Sequence, residues 1–243
     1  MKMKNKKRIQ KAKRQAIREE RKKKKKDSLL LREEEEKNTT LPTILILCEG
    51  ENTEPSYFNQ FEITSATVKA IGEGYNTISL VTQAYNLQKK AISNNKPYDQ
   101  VWCVFDKDDY EAEQFEQAIE LAKQYEFGVA YSNQAFEYWL FIHFNDHQGG
   151  GMDRQNCCEE LNKLLVEFDC KYDYKKTKVV TPLLFDLLLA KDPKDIKKRT
   201  RQELAIGRAQ KILQFHEEQA NSPAQAESST TVFYLVQELQ KYL

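Results

Sequence analysis

The pattern of apolar and polar positions changes at Pro42. Before it, residues 1–40 show almost no apolar periodicity apart from Leu29, Leu30 and Leu31, which predicts either a disordered segment or a lone solvated helix. After it, Thr43-Ile44-Leu45-Ile46-Leu47-Cys48 is a short, continuous, partly β-branched apolar run, as expected of a strand buried on both faces of a parallel sheet. Glu49-Gly50 ends that strand. Thr53-Glu54-Pro55 then reads as a helix start, with Thr53 able to cap and Pro55 in the first turn.

The alternation repeats. A second, weaker strand is predicted over 67–71, and a helix over 80–92 carries Leu80, Val81, Ala84, Leu87 and Ala91 on one face. A third strand covers 101–105 (Val-Trp-Cys-Val-Phe), followed by a helix marked by Ala112, Phe115, Ala118, Ile119, Ala122 and Tyr125. A fourth strand over 127–131 leads into a helix from about 134 to 144. Strands alternating with helices predict βαβ units: an α/β, three-layer αβα domain over 42–148 with a mostly parallel four-stranded sheet. Gly149-Gly150-Gly151 reads as a hinge or loop. Beyond it, 152–243 is predicted to be a helical extension packed on the domain, with helices around 159–168, 182–190, 201–218 and 231–243 and a loop over 221–229.

Length and composition narrow the class. At 243 residues the chain suits one sizeable α/β domain with an extension, or two small domains. No stretch approaches the roughly 18 consecutive apolar residues of a transmembrane helix, and the charged amino terminus lacks a signal-peptide core, so no membrane association and a cytoplasmic location are expected. The five cysteines (Cys48, Cys103, Cys157, Cys158, Cys170) show no Cys-x-x-Cys pairing and read as reduced core residues; His143, His147 and His216 fit no zinc spacing. A net charge of +1 hides an asymmetry: 15 Lys/Arg against two Glu lie within residues 1–26, leaving 23 basic and 35 acidic residues beyond. The basic arm can bind phosphates by counterion release, without sequence preference.

In an open α/β sheet, ligands bind beyond the carboxyl ends of the strands. Strand one ends in Glu49 and strand three in Asp106-Lys107-Asp108-Asp109, so four carboxylates reach one rim of an acidic body. Carboxylates packed together repel unless a cation sits among them, and Mg²⁺ prefers a few carboxylate oxygens and water. The competing explanation is that Asp108 or Asp109 caps the helix starting near Glu111, and that Glu49 serves the helix starting near Glu54.

Acidic-Gly after a first strand and Asp-x-Asp after a later one is the pattern of toprim domains. More narrowly, the blocks at 48–58 (Cys-Glu-Gly-Glu-Asn-Thr-Glu-Pro-x-Tyr-Phe), 101–109 and 130–144 resemble the RloB-like family, and weaker similarity runs on through 205–209 and 229–236. The resemblance covers most of 42–243 and leaves out the basic arm. It implies a toprim-like fold in which Asp106 and Asp108 hold Mg²⁺ or Mn²⁺, and Glu49 acts as general base or acid or as a further ligand. It also implies relatives paired with an AAA-type ATPase in abortive-infection defence against phage.

Asn133 and Glu137, four apart, would share a helix face that either looks into the same rim or is a solvated or capping pair. For nucleic-acid contact the candidates are Lys107, Lys175 and Lys176, the last two in a basic stretch with Lys171, Lys178, Tyr172 and Tyr174 that suits either single-strand binding or an exposed loop. The leading expectation is a metal-dependent nuclease acting on DNA or RNA as a defence effector. A non-catalytic adaptor for an ATPase or nucleic acid and a primase-type nucleotidyl transferase are the alternatives, and self-association is left open.

Overall fold

The computed structural model describes residues 41–70, 77–147 and 149–243. The expectation for residues 1–40 and the last residue of the expected second strand, Ile71, lie outside them. The chain divides into units 1–41 and 42–243, and the second carries the whole architecture below.

β1 (Ile44–Cys48) is 0–1 % exposed at every residue, as its unbroken apolar run requires. It is flanked by β2 (Ala66–Ala70) and β3 (Gln100–Asp106), both parallel to it, and β3 pairs in parallel with β4 (Gly128–Asn133). The helices of this half are α1 (Thr53–Asn59), α2 (Thr77–Ser93), α3 (Ala112–Gln124) and the short α4 (Glu137–Phe141). Alternate residues of the strands point to opposite faces. Leu45, Leu47, Cys103 and Phe105 pack with Leu80, Val81, Phe115 and Ala118 of α2 and α3. Ile44, Ile46, Cys48 and Val104 pack on the other face with Tyr57, Phe58, Phe136 and Trp139.

The second core continues across the glycine run. α5 (Arg154–Leu165), α6 (Pro182–Leu189), α7 (Arg201–Glu218) and α8 (Val232–Leu239) add Leu161, Leu184, Ala209 and Leu235 to it. Tyr57 of α1 meets both Phe136 (5.4 Å between ring centroids) and Phe185 (5.5 Å), so residues on both sides of Gly149–Gly151 close one cluster. All five cysteines are free and buried. Among the described residues no helix is long and apolar enough to cross a membrane.

The sheet has five strands, not the four expected, in the order β2-β1-β3-β4-β5. β5 is only Ser229–Thr230, antiparallel to β4, starting at the last residue of the stretch expected as loop. It carries no apolar run; its place is fixed by its partner, with Ser132 and Thr230 hydroxyls 3.0 Å apart and Thr231 N donating to Tyr131 O at 2.8 Å. That pairing also extends β4 to Asn133, past the predicted end at 131. In consequence the next helix is confined to α4, well inside the predicted 134–144. α5 starts at Arg154, earlier than predicted, because Asp153 caps it by accepting from Asn156 N at 2.9 Å.

Candidate active site

The strand order places a topological switch between β1 and β3: the chain leaves β1 to one side, for β2, and returns on the other. The loops after β1 and β3 therefore diverge and leave a crevice at the strands' carboxyl ends. Glu49 remains tied to β3, donating its backbone N–H to Val104 O at 2.9 Å. The Asp106–Asp108 loop is held on the end of β4 by Lys107 N donating to Ser132 O (2.8 Å) and Asp108 N to Gln134 O (3.0 Å). Asp108 takes φ +41°, in the left-handed region that Asp tolerates better than most residues.

A cavity of about 300 Å³ opens there, lined by six acidic residues (Glu49, Glu51, Glu54, Asp106, Asp108, Glu137) and two basic ones, Arg154 and Lys178. Glu49 accepts from the Tyr110 hydroxyl at 2.7 Å and, over a long 3.4 Å, from Asp106 N. The two acidic strand ends thus meet within hydrogen-bond reach. Burial raises the Glu49 pKa, against the Tyr110 and Asp106 donors that lower it. Asp106, 6 % exposed, is pushed well up by burial and then by the charge of Glu54, with Arg154 opposing. Asp108 rises for the same first reason, burial, again against Arg154.

Glu54 stands on the first turn of α1, 5 % exposed, with burial lifting its pKa to about 7 and Glu137 adding to the shift. Gly50 makes room for it: a Cβ there would lie 2.3 Å from Glu54 Oε2 and 2.8 Å from Oε1. Glu137, 4 % exposed at the start of α4, accepts from the Tyr172 hydroxyl at 2.8 Å. Tyr172 is in turn 2.8 Å from Thr53 Oγ1, which donates to Lys178 O at 3.0 Å. That chain of contacts straps the segment before α6 onto α1 and sets Lys178 at the rim of the cavity.

The charge inside the crevice is answered by Arg154. Its Nη2 donates to Asp106 Oδ2 at 2.8 Å and Asp108 Oδ2 at 3.0 Å, and its Nε lies 3.6 Å from Glu137 Oε2. Burial alone would lower the Arg154 pKa, but Asp106, Glu137, Asp108 and Glu54 raise it overall. Among the described residues, no three acidic, histidine or cysteine side chains stand ready to hold a metal ion as placed. The donor set itself, all carboxylate oxygen and in excess over its two cations, matches Mg²⁺ or Mn²⁺ chemistry.

Of the residues singled out in the sequence, Glu49, Asp106, Asp108 and Glu137 come together. Asp109 is exposed and does not line the cavity, nor does Lys107. Asn133 does not share a helix face with Glu137: it is the last residue of β4, buried, and its amide donates to Pro223 O and Ala224 O at 3.0 Å each. The spacing of four meant nothing because the strand runs up to it. Lys175 and Lys176 are exposed and absent from the cavity, with Lys175 Nζ lying 5.4 Å from the Tyr174 ring. Tyr172, grouped with them for stacking on bases, is fully buried on Glu137. Neither Asp108 nor Asp109 caps α3, whose N-cap is Glu111, and Glu49 is not the N-cap of α1, which is Asn52; neither cap makes a side-chain bond. Glu54 and Arg154 were not among the candidates, and Lys178, named in the basic stretch, lines the cavity where Lys175 and Lys176 do not. Glu54 had a readable signal, because it opens the helix that leaves the same strand end as Glu49; Arg154 had none nearby beyond the Asp153 cap.

A model of the RloB-like protein family matches residues 44–239. Neither the curated proteins nor the solved structures give a match.

Proposed function

The chain belongs to the RloB-like protein family, and we propose that it is a divalent-metal-dependent nuclease, hydrolysing phosphodiester bonds of DNA or RNA as the effector of a bacterial anti-phage defence system. The observation that carries this reading is the excess of carboxylates over cations in one crevice at the β1/β3 switch point. A set of carboxylates raised in pKa first by burial and then by one another's charge marks a functional cleft. The defence setting and an AAA-type ATPase partner rest on resemblance to the family, not on the geometry.

Asp106 and Asp108 are the residues to hold Mg²⁺ or Mn²⁺, with Glu54 and Glu137 beside them. A bound cation there supplies polarisation of a phosphoryl oxygen and a water of lowered pKa. Glu49, its carboxylate fixed by Tyr110 and its proton affinity raised by burial, accepts the proton of the attacking water. Lys178 at the rim meets the incoming phosphate. Hydrolysis by water requires no covalent intermediate on the protein.

One observation favours a second reading, a non-catalytic adaptor for an ATPase or nucleic acid: Arg154 already pairs with Asp106 and Asp108. The deciding experiment incubates purified protein, with and without its ATPase partner, with DNA and RNA in Mg²⁺ or Mn²⁺. Cleavage is expected, and Asp106→Ala with Asp108→Ala should reduce it at least 100-fold, on the order of the loss of a catalytic electrostatic group, while circular dichroism is unchanged. No cleavage under any of these conditions, or cleavage that survives the double substitution, overturns the nuclease.

A further inference from the structure

Arg154 is poorly suited to a purely structural ion pair. A well-made Arg–carboxylate pair is bidentate, two parallel N–H donors on one carboxylate. Here a single nitrogen, Nη2, is shared between Asp106 and Asp108, while the buried Nε has no hydrogen-bond partner among the described residues and faces Glu137 only as an ion pair at 3.6 Å. Its position opposes the helix as well. Arg154 is the first residue of α5, where the helix dipole favours negative charge. Advantage to α5 therefore does not explain it; among the described residues the guanidinium is held by the carboxylates of the crevice.

We propose that the Arg154 guanidinium holds the place of the divalent cation among Asp106, Asp108 and Glu137, and that it must withdraw before the metal binds, which makes Arg154 an internal competitor of the cofactor. The inference rests on the metal-dependent reading of the same site. Geometry permits the exchange without refolding: the Arg154 side chain is 38 % exposed and reaches in from the edge, whereas Asp106 and Glu137 are nearly covered. A rotation about its side-chain bonds returns the charge to solvent, after which Asp106, Asp108 and Glu137 close together on an ion of higher charge density, since as placed no three of them hold one. Until that exchange Asp106 and Asp108 stay paired with Arg154, so cleavage waits on metal entry.

The test uses the full chain and Mn²⁺ alone. Titration followed by the electron paramagnetic resonance of free Mn²⁺ should show Arg154→Gln binding at least tenfold more tightly than the wild type. The opposite direction, weaker binding, is what loss of a scaffolding residue gives. In the wild type, phenylglyoxal modification mapped by mass spectrometry should become faster at Arg154 when Mn²⁺ is added, a readout that survives even if the variant fails to fold. If Mn²⁺ binds but Arg154→Gln binds it no more tightly, or Arg154 is modified at the same rate with and without Mn²⁺, the competition is wrong while the metal site stands. If the wild type and Arg154→Gln both fail to bind Mn²⁺ and modification is unchanged, the competition and the metal-dependent nuclease fall together.

Discussion

At the scale of single residues, two buried titratable groups pull stability in opposite directions with pH. Glu54, with its pKa raised by burial from 4.5 to about 7, binds its proton more tightly folded than unfolded. Its contribution is fully present below 4.5 and is lost as pH rises through about 7. His143, wholly buried with Nδ1 on Trp139 O at 2.8 Å, is lowered from 6.5 to about 3 by burial, with Arg208 and Arg201 adding to the effect. A depressed imidazole stabilises above 6.5 and loses that contribution as pH falls toward 3. Between 4.5 and 6.5 the two slopes oppose each other. Urea unfolding in EDTA at pH 5 and 7.5 should therefore show Glu54→Gln shifted toward lower relative stability at pH 5, by at most about 3 kcal/mol from a shift of this size, and His143→Leu shifted the other way. Glu49, Asp106 and Asp108 move in the same direction as Glu54, so Glu54→Gln removes only part of the acid-side gain. Equal pH profiles for both variants would show that these groups are not buried as described.

Elements were legible in the sequence wherever burial alone decides them. β1 and β3 read directly from their apolar runs, and α2 and α3 from one apolar face each, because those patterns record the core they face. What escaped was set by pairing between distant segments: β5 exists because Ser229 and Thr230 meet Asn133 and Ser132, and the polar end of β4 is strand for the same reason. The site divides along the same line. Glu49, Asp106 and Asp108 follow from the rule about strand ends, whereas Arg154 and Lys178 come from segments beyond the glycine run, brought in by tertiary packing; Lys178 was visible only as one of a run of lysines, and Arg154 had no local signal. Helix α7 shows the local kind of specification at its clearest, with a capping box: Glu203 N donates to Thr200 Oγ1 at 3.1 Å, and Thr200 N to Glu203 Oε2 at 2.7 Å. Thr200→Ala should cost about 1 kcal/mol, lowering the melting temperature by roughly 2–4 °C for a unit of this size. Because Thr200 does not line the crevice, its Mn²⁺ affinity should match the wild type; a change in affinity would reveal coupling between α7 and the site.

For the whole molecule the governing fact is the charge split between residues 1–26, with 15 Lys/Arg and two Glu, and the rest, with 23 basic and 35 acidic residues. A nucleic acid approaching residues 42–243 meets a surface of its own sign, and the crevice it must reach carries six carboxylates. The interaction with such a body is repulsive in sign and at physiological salt falls off over about 8 Å, so on the nuclease reading proposed above capture has to come from elsewhere. On that reading the basic segment would supply it by releasing counterions from phosphates, a contribution that weakens with log[salt] in proportion to the number of phosphates neutralised. Residues 42–243 close their own cores on both faces of the sheet, so removing residues 1–26 should leave the unfolding transition of that unit within a degree or two, by the argument that stability follows buried area. Binding of a fluorescent oligonucleotide in EDTA should weaken at least tenfold and its dependence on log[salt] should flatten. Unchanged affinity and slope in the truncated chain would place capture on the folded unit itself, with the lysines at 171–178 as the next residues to substitute.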